Sequence, residues 1–402
     1  MYLEPPKDVK KEGKLWLLKK TLYGLNDASR KFWLKVKKVF EEIGLKRLDG
    51  DEAYYYKHNE KGDLEGMISS HVDDFNLAGN KEFIDMVTEK IKNALDISKI
   101  EDGEFRFTGI DVKEKDGRIE LSMEDYAKSL EIVKIRDGKQ DELLTREEMR
   151  VLRKYVGKIN WLASNTRPDI AIYALDLAKK QKKATLKDLR DVNRILKKVS
   201  EKESKVIFGK ITGKDDLCVV GISDASYNQE GHSVAGEMIL LGSKNTEVAA
   251  PMYWKSGIIR KICTSPKAAK TCAVMKLVDN SSNMSRQLSI LMNRKISLRV
   301  FTDSRPLLES IGSSSQIAEK ALRQSIASMK QSLEDGDVDQ FSWIEGKEIV
   351  ADVFTKQGSK REALDEIVKE NCFRHAQNKD NLVVCENEEI TIKNLTTKEM
   401  KA

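Results

Sequence analysis

Apolar residues recur at helical spacing in the first part of the chain. Phe32, Val36, Val39, Phe40 and Ile43 predict a helix over 28–43, with Gly44 as its stop. Residues 105–123 read as a hairpin: Phe105 and Phe107, then Ile119, Leu121 and Met123, alternate on either side of the two-residue turn Asp116-Gly117. Leu152, Val156, Ile159 and Leu162 place a second helix over 145–163. It breaks at Asn165-Thr166-Arg167-Pro168-Asp169, where proline disfavours helix at the preceding residue. Thr185 caps a third helix, with Leu186, Leu189, Val192, Ile195 and Val199 on one face. Gly209 and Gly213 mark a linker near 206–216, and strands dominate beyond it. These strands are Leu217 to Ile222, Met238 to Leu241, Met252 to Trp254, Ile296 to Val300 and Gln340 to Ile344. Helices are expected from Leu307 onward and over Glu348 to Lys356. From about 376 the composition turns polar, which predicts a poorly ordered tail.

Composition narrows the field without choosing a function. The chain has 402 residues, 40% hydrophobic and 34% charged, with 71 Lys+Arg against 65 Asp+Glu and a net charge of +6. That suits two or three globular domains. No apolar run reaches the roughly 18 residues of a membrane span, and the first residues lack an apolar signal core, so an intracellular protein without a membrane partner is expected. Five scattered cysteines fit a reducing compartment. The charge is uneven: residues 151–205 hold 15 Lys+Arg and 6 Asp+Glu, a surplus of nine that leaves the rest of the chain at −3. Lys179, Lys180, Lys182 and Lys183, followed by Arg190, Arg194 and Lys197, form a basic stretch suited to a polyphosphate partner. The five tryptophans sit among periodic apolar residues and read as core.

Two sets of carboxylates stand at predicted strand ends. His71-Val72-Asp73-Asp74 places adjacent acids at a hairpin tip, pointing to opposite faces. Asp224, Asp303 and Asp352 each lie at a strand end or a first helical turn. Three carboxylates from separate elements are what a two-metal phosphodiester site requires, and Mg²⁺ favours such hard oxygen ligands. Each aspartate alone is equally read as a helix cap. Cys372, His375 and Cys385 lack a fourth residue at zinc-ligand spacing.

These segments, in this order, resemble the Ty1/copia-type retrotransposon Pol polyprotein. Leu22-Tyr23-Gly24-Leu25-Asn26-Asp27-Ala28-Ser29-Arg30 is similar to a reverse-transcriptase element, and His71-Val72-Asp73-Asp74 to its Tyr-Val-Asp-Asp box. Gly109-Ile110-Asp111-Val112 and Thr166-Arg167-Pro168-Asp169 resemble two further elements. Ser223-Asp224-Ala225-Ser226, Phe301-Thr302-Asp303-Ser304 and Ala351-Asp352-Val353-Phe354-Thr355-Lys356 resemble three segments of the attached ribonuclease H. The resemblance implies an α+β and α/β chain: a truncated reverse-transcriptase palm over 1–122, a basic helical thumb and connection over 123–205, a ribonuclease H-like domain with a five-stranded mixed sheet over 206–360, and a tail over 361–402. It implies that Asp73 and Asp74 form the polymerase pair, with Asp73 a metal ligand. It also implies that Arg30 lies near nucleotide and template, and that Asp224, Asp303 and Asp352 ligate Mg²⁺ in the nuclease. RNA, DNA or an RNA–DNA hybrid would be the partner, with 151–205 on its phosphates.

Two departures bear on activity. The family's third palm aspartate lies upstream of the Tyr-Leu-x-x-Pro segment, and this sequence starts at that segment with Tyr2-Leu3-Glu4-Pro5-Pro6. On its own the chain is therefore expected not to polymerise DNA. In the nuclease half, Lys270 occupies the place of the family's glutamate, within Ser265-Pro266-Lys267-Ala268-Ala269-Lys270-Thr271. A cation among carboxylates inverts the charge logic of a metal site. The expectation is a degenerate copy that retains nucleic-acid binding, with a co-opted binding module or an enzyme completed by another chain as the alternatives.

Overall fold

The structure is a computed structural model. It describes every residue except 1, 7, 10–13, 20, 21, 23, 96, 98, 212–215, 316, 318, 376–380, 387, 388 and 394–402. Tyr23 of the Leu-Tyr-Gly-Leu element and Gly213 of the expected linker thus lie outside the described residues. Two units divide the chain: residues 1–100 with 290–293, and residues 101–289 with 294–402.

The first unit opens with a two-stranded ribbon, β1 (Tyr2–Leu3) against β2 (Trp16–Leu17), whose Tyr2, Trp16 and Leu17 are exposed. Helix α1 (Ala28–Glu42) follows the predicted period, burying Val36, Val39 and Phe40, and Gly44 ends it with φ 79°. A four-stranded antiparallel sheet runs in chain order through β3 (Lys46–Arg47), β4 (Tyr54–His58), β5 (Leu64–His71) and β6 (Asp74–Gly79). Helix α2 (Lys81–Ala94), capped by Asn80, covers it with Phe83, Val87 and Ile91. Phe83 packs where Gly66 and Gly79 have no side chains: a Cβ on Gly66 would lie 2.2 Å from the Phe83 ring.

The second unit begins with the antiparallel strands β7 (Glu104–Phe107), β8 (Ile110–Lys115) and β9 (Arg118–Ser122). Asp116 and Gly117 both have positive φ (54° and 71°), as a two-residue hairpin turn demands. The short helix α3 (Glu124–Lys128) leads to α4 (Arg146–Asn165), started by a Thr145/Glu148 capping box. Then come α5 (Ala171–Lys180) and α6 (Leu186–Glu201), the latter capped by Thr185 with Asp188. The expected linker at 206–216 instead starts with β10 (Val206–Phe208), which pairs with β9. Residues 101–205 and the domain after them therefore belong to one unit, and the divide falls at residue 100 rather than 122.

Next come β11 (Leu217–Ser226), β12 (Val234–Ser243), β13 (Ala249–Ile258), helix α7 (Pro266–Leu291), β14 (Ser297–Thr302), α8 (Arg305–Gly312), α9 (Arg323–Glu334) and β15 (Gln340–Trp343). A 3-10 turn, Val350–Phe354, stands where a longer helix was expected. After α10 (Glu362–Asp365), strands β16 (Leu382–Glu386) and β17 (Glu389–Lys393) complete the element order. The sheet has seven strands in the order β13-β12-β11-β14-β15-β16-β17, with β14 parallel to β11 and β15 and the other pairs antiparallel. The five expected strands are its first five. The other two come from the segment expected to be a disordered tail: Leu382 and Val383 are buried, and β16 pairs with β15 through Phe341↔Val383. One core runs from Leu152, Ile159 and Leu196 of the helices to Val220, Met238 and Phe354 around the sheet. On the opposite face Leu277 of α7 approaches Gly221 closely enough that a Cβ there would lie 3.1 Å from its side chain. Among the described residues no helix is long and apolar enough to cross a membrane.

Candidate functional site

Asp224 lies near the end of β11, paired with β12 and only 2% exposed in its side chain. The parallel register Ser223↔Thr302 carries β14 alongside, so Asp303 emerges one residue past that strand, next to Asp224. Across the sheet Asp224 faces Gly236 of β12. The missing side chain there admits the 3-10 turn that carries Asp352: a Cβ on Gly236 would sit 2.5 Å from the Ala351 carbonyl oxygen and 2.9 Å from Thr355 Cγ2. Thr355 then ties the elements together, its hydroxyl donating to Asp224 Oδ2 at 2.6 Å. The topology thus assembles the three aspartates from β11, the β14 end and the 3-10 turn.

Two lysines enter this group. Lys270, in the second turn of α7, reaches Asp224 Oδ1 at 3.4 Å and hydrogen-bonds Asp303 Oδ2. Lys356 hydrogen-bonds Asp352 Oδ1, and Ser359 Oγ donates to Asp352 Oδ2 at 2.5 Å. Burial and the adjacent Asp224 charge push the Asp303 carboxyl above the usual carboxylate range, against the pull of Lys270. Burial opposes the charge on Lys356. Its bond to Asp352 and the nearby charges of Asp224, Asp352 and Asp303 nevertheless hold its ammonium above the usual lysine range. Nearby, Gly346 passes close to Asp303, and the Trp343 indole donates to the Asp303 carbonyl at 3.2 Å while Arg305 stacks over its ring at 4.0 Å.

The residues do not fit Mg²⁺. A divalent ion needs anionic or neutral oxygen donors turned toward it, and here each carboxylate already accepts from the protein, Asp303 from the Lys270 ammonium, which also pairs with Asp224. Among the described residues no three His, Cys, Asp or Glu side chains converge as a metal-holding group. Glu237, a carboxylate that sequence reasoning passed over, does not substitute. It lies on β12 one residue from Gly236, hence on the opposite face, fully buried under α7, where it pairs with Lys276 at 2.6 Å and accepts from Asn280 at 2.7 Å. Nothing local marks it, since its partners lie about 40 residues away in sequence.

In the first unit the His71↔Asp74 pairing makes Val72-Asp73 a two-residue turn, as the motif predicts. Val72 adopts φ 58°, uncommon for a β-branched residue, and is 60% exposed. Asp73 and Asp74 are exposed, and Arg30 is exposed in the first turn of α1.

The basic stretch is less open than its charge suggests. Lys179 pairs with Asp176, Lys180 with Asp188, Arg194 with Asp191 and, at 3.8 Å, Lys197 with Glu201, while Arg190 donates to the Gly138 carbonyl. Lys182 and Lys183 stand exposed in the turn between α5 and α6. A second basic surface lies on α4: Arg150, Arg153, Lys154, Gly157 and Trp161 are exposed and share one face by their spacing. Trp161 is 42% exposed and Trp16 50%, so these two are not core residues. Trp254 is buried and bonds the Ala163 carbonyl at the end of α4 at 2.7 Å. The Thr-Arg-Pro-Asp element is a buried ionic joint. Arg167 holds Asp169 through two bonds of 2.8 and 3.0 Å and also bonds the Val199 and Lys202 carbonyls, and Arg361 pairs with Asp169 from the far end of the unit.

Residues 1–138 match the family Reverse transcriptase (RNA-dependent DNA polymerase). Over 89% of its length the chain is 25% identical to the Transposon Ty1-DR6 Gag-Pol polyprotein of Saccharomyces cerevisiae, covering 22% of that protein. It corresponds to a reverse transcriptase and ribonuclease H region of Ty1/copia type. The Transposon TyH3 Gag-Pol polyprotein of the same yeast matches to the same extent, at 25% identity and 22% of its length. This Ty1/copia-type segment therefore spans about a fifth of those relatives. Among solved structures, LC11-RNase H1 in complex with RNA/DNA hybrid aligns at 14% identity over 35% of this chain and 96% of that one, with a TM-score of 0.28. Prototype foamy virus protease-reverse transcriptase aligns at 13% identity over 84% of this chain and 40% of that one, with a TM-score of 0.22.

Proposed function

We propose that this Ty1/copia-type segment binds nucleic acid, preferentially an RNA–DNA hybrid, without cleaving it. The observation that carries this reading is Lys270 bridging Asp224 and Asp303 where a nuclease needs a divalent cation. Phosphodiester hydrolysis by a two-metal route requires an activated water and a stabilised leaving oxygen, and an ammonium supplies neither. The binding half of the proposal rests on the exposed face of α4, where Arg150, Arg153 and Lys154 supply charge for phosphates and Trp161 a flat apolar surface. Lys182 and Lys183 extend the positive potential.

Asp73 and Asp74, displayed at the β5–β6 turn, are the candidate polymerase carboxylates. The test uses the full chain with a fluorescent RNA–DNA hybrid. Anisotropy is expected to show binding that weakens steeply with salt, and gels are expected to show intact RNA in Mg²⁺ and in Mn²⁺. Metal-dependent cleavage that disappears with Asp303→Asn would refute the proposal. So would affinity that salt leaves unchanged.

A further inference from the structure

We propose that Lys270 is the resident cation of the aspartate cluster: it takes the electrostatic place of a divalent ion, and it alone, not Lys356, keeps such ions out. The inference deepens the non-cleaving reading above and rests on it for the assignment of the three aspartates.

The two lysines differ in how firmly they are held. Lys356 meets a single carboxylate, Asp352, four residues earlier in the chain, and its side chain is 57% exposed. Water can take over its solvation, and rotation about its stem removes it from the cluster at little cost. Lys270 touches two carboxylates, one on β11 and one just past the end of β14, and its side chain is 21% exposed. Its helix is clamped as well. Glu237, wholly buried in the sheet, grips Lys276 and Asn280, one turn apart on α7. Lys267, one turn before Lys270, donates to Ser310 of α8 at 2.8 Å. With α7 fixed on both sides of Lys270, the stem of this lysine starts from an anchored backbone beside both carboxylates.

The carboxylates need that charge. Asp224 and Asp303 are adjacent and sheltered from water, their side chains only 2% and 14% exposed. A neighbouring cation offsets the repulsion between two such closely placed carboxylates. The folded unit therefore places a positive charge of its own between these two carboxylates, where a divalent ion would otherwise sit. Removing that charge while leaving the aspartates creates the opposite situation, a pair of under-neutralised carboxylates open to a divalent ion.

The experiment is Mn²⁺ binding by the full chain, followed by loss of the free-ion electron paramagnetic resonance signal. Wild type and Lys356→Gln are expected to leave the signal unchanged. Lys270→Gln is expected to take up Mn²⁺, and Lys270→Glu, which adds a fourth oxygen donor, to do so more tightly. The gain over wild type is at least about 10²-fold, given charge reversal next to a divalent ion. In Lys270→Glu, Asp303→Asn should abolish the uptake. The inference is overturned if wild type binds Mn²⁺ in an Asp303-dependent way, if Lys356→Gln alone opens the site, or if folded Lys270→Glu stays empty. Should the Lys270 variants fail to fold, the wild-type melt decides: equal midpoints in EDTA and in excess Mg²⁺ support the inference, and a Mg²⁺-dependent rise abolished by Asp303→Asn overturns it. Hybrid affinity is read separately. Its absence refutes the binding proposal alone, whereas Mn²⁺ uptake by wild type refutes this one.

Discussion

Gly236→Ala offers a direct test of how the three aspartates are held. The added Cβ would fall 2.5 Å from the Ala351 carbonyl oxygen, 2.9 Å from Phe354 Cβ and 2.9 Å from Thr355 Cγ2. Ala351 and Phe354 are fully buried, so neither backbone nor ring has space to yield. The strand cannot readily retreat either, because Gly236 is paired on both sides, with Asp224 of β11 and Ser256 of β13. The 3-10 turn must lift. Forcing one extra methyl into such packing costs about 1–3 kcal/mol, and lifting the turn strips Asp224 of the Thr355 hydroxyl, a bond to a charged group whose loss adds about 1.5–3 kcal/mol. A total of about 2.5–6 kcal/mol corresponds to a fall in melting temperature of roughly 10 °C for a unit of this size. Circular dichroism gives the melt, and hydrogen exchange locates the damage, which should appear as lost protection at the amides of Thr355 and Lys356, both bonded to the Asp352 carbonyl. Gly157→Ala serves as the control. That glycine is helical and exposed with nothing within 4 Å of the added Cβ, so alanine should stabilise by about 0.5–1 kcal/mol. If Gly236→Ala melts within about 1 °C of wild type, the turn is not seated on Gly236 and the described cluster is wrong.

Three further outcomes are expected. Trp161→Ala should weaken hybrid binding about tenfold, and Arg153→Ala with Lys154→Ala should flatten the log–log salt dependence by about 1–2; an unchanged slope removes α4 from the interface. Burial alone would raise the Asp169 carboxyl, but Arg167 and Arg361 hold it below the usual carboxylate range. Its stabilisation is therefore present above the unfolded value near about 4 and lost as pH falls through the lower folded value, so urea midpoints of wild type and Asp169→Asn should converge below about pH 4. Glu237→Ala should cost about 2–3 kcal/mol in urea unfolding, less than a fully buried pair because Lys276 is 43% exposed and regains water; Glu237→Gln, which keeps an acceptor for Asn280, should cost less than half of that.

Much of this was legible along the chain because the deciding interactions are local. Asp116-Gly117 specifies its own turn through backbone preference, and the Thr145 and Thr185 caps act within four residues. Asp224 and Asp303 were legible too, since each sits at the end of a strand whose apolar run is visible, whereas Asp352 lies in a 3-10 turn. What stayed hidden depends on partners far away in sequence. Periodicity assigns Trp161 to a helix but not to a covered face, and only the packing of α5 and α6 on the other side of α4 leaves it open. The polar composition after residue 376 argued for disorder, yet Leu382 and Val383 suffice to seat β16 because β15 offers a free edge 40 residues earlier. The basic stretch misled in the other direction: Asp176, Asp188 and Asp191 sit close enough on α5 and α6 to neutralise several of its lysines and arginines locally.

The joint between the helices and the sheet has a geometric consequence. Trp254 bonds the end of α4, Gln357 bonds Asp176 of α5 at 2.6 Å, and one apolar core runs through both layers. The basic face of α4 and the aspartate cluster therefore sit on one continuously packed unit, so a change that loosens this joint reaches both.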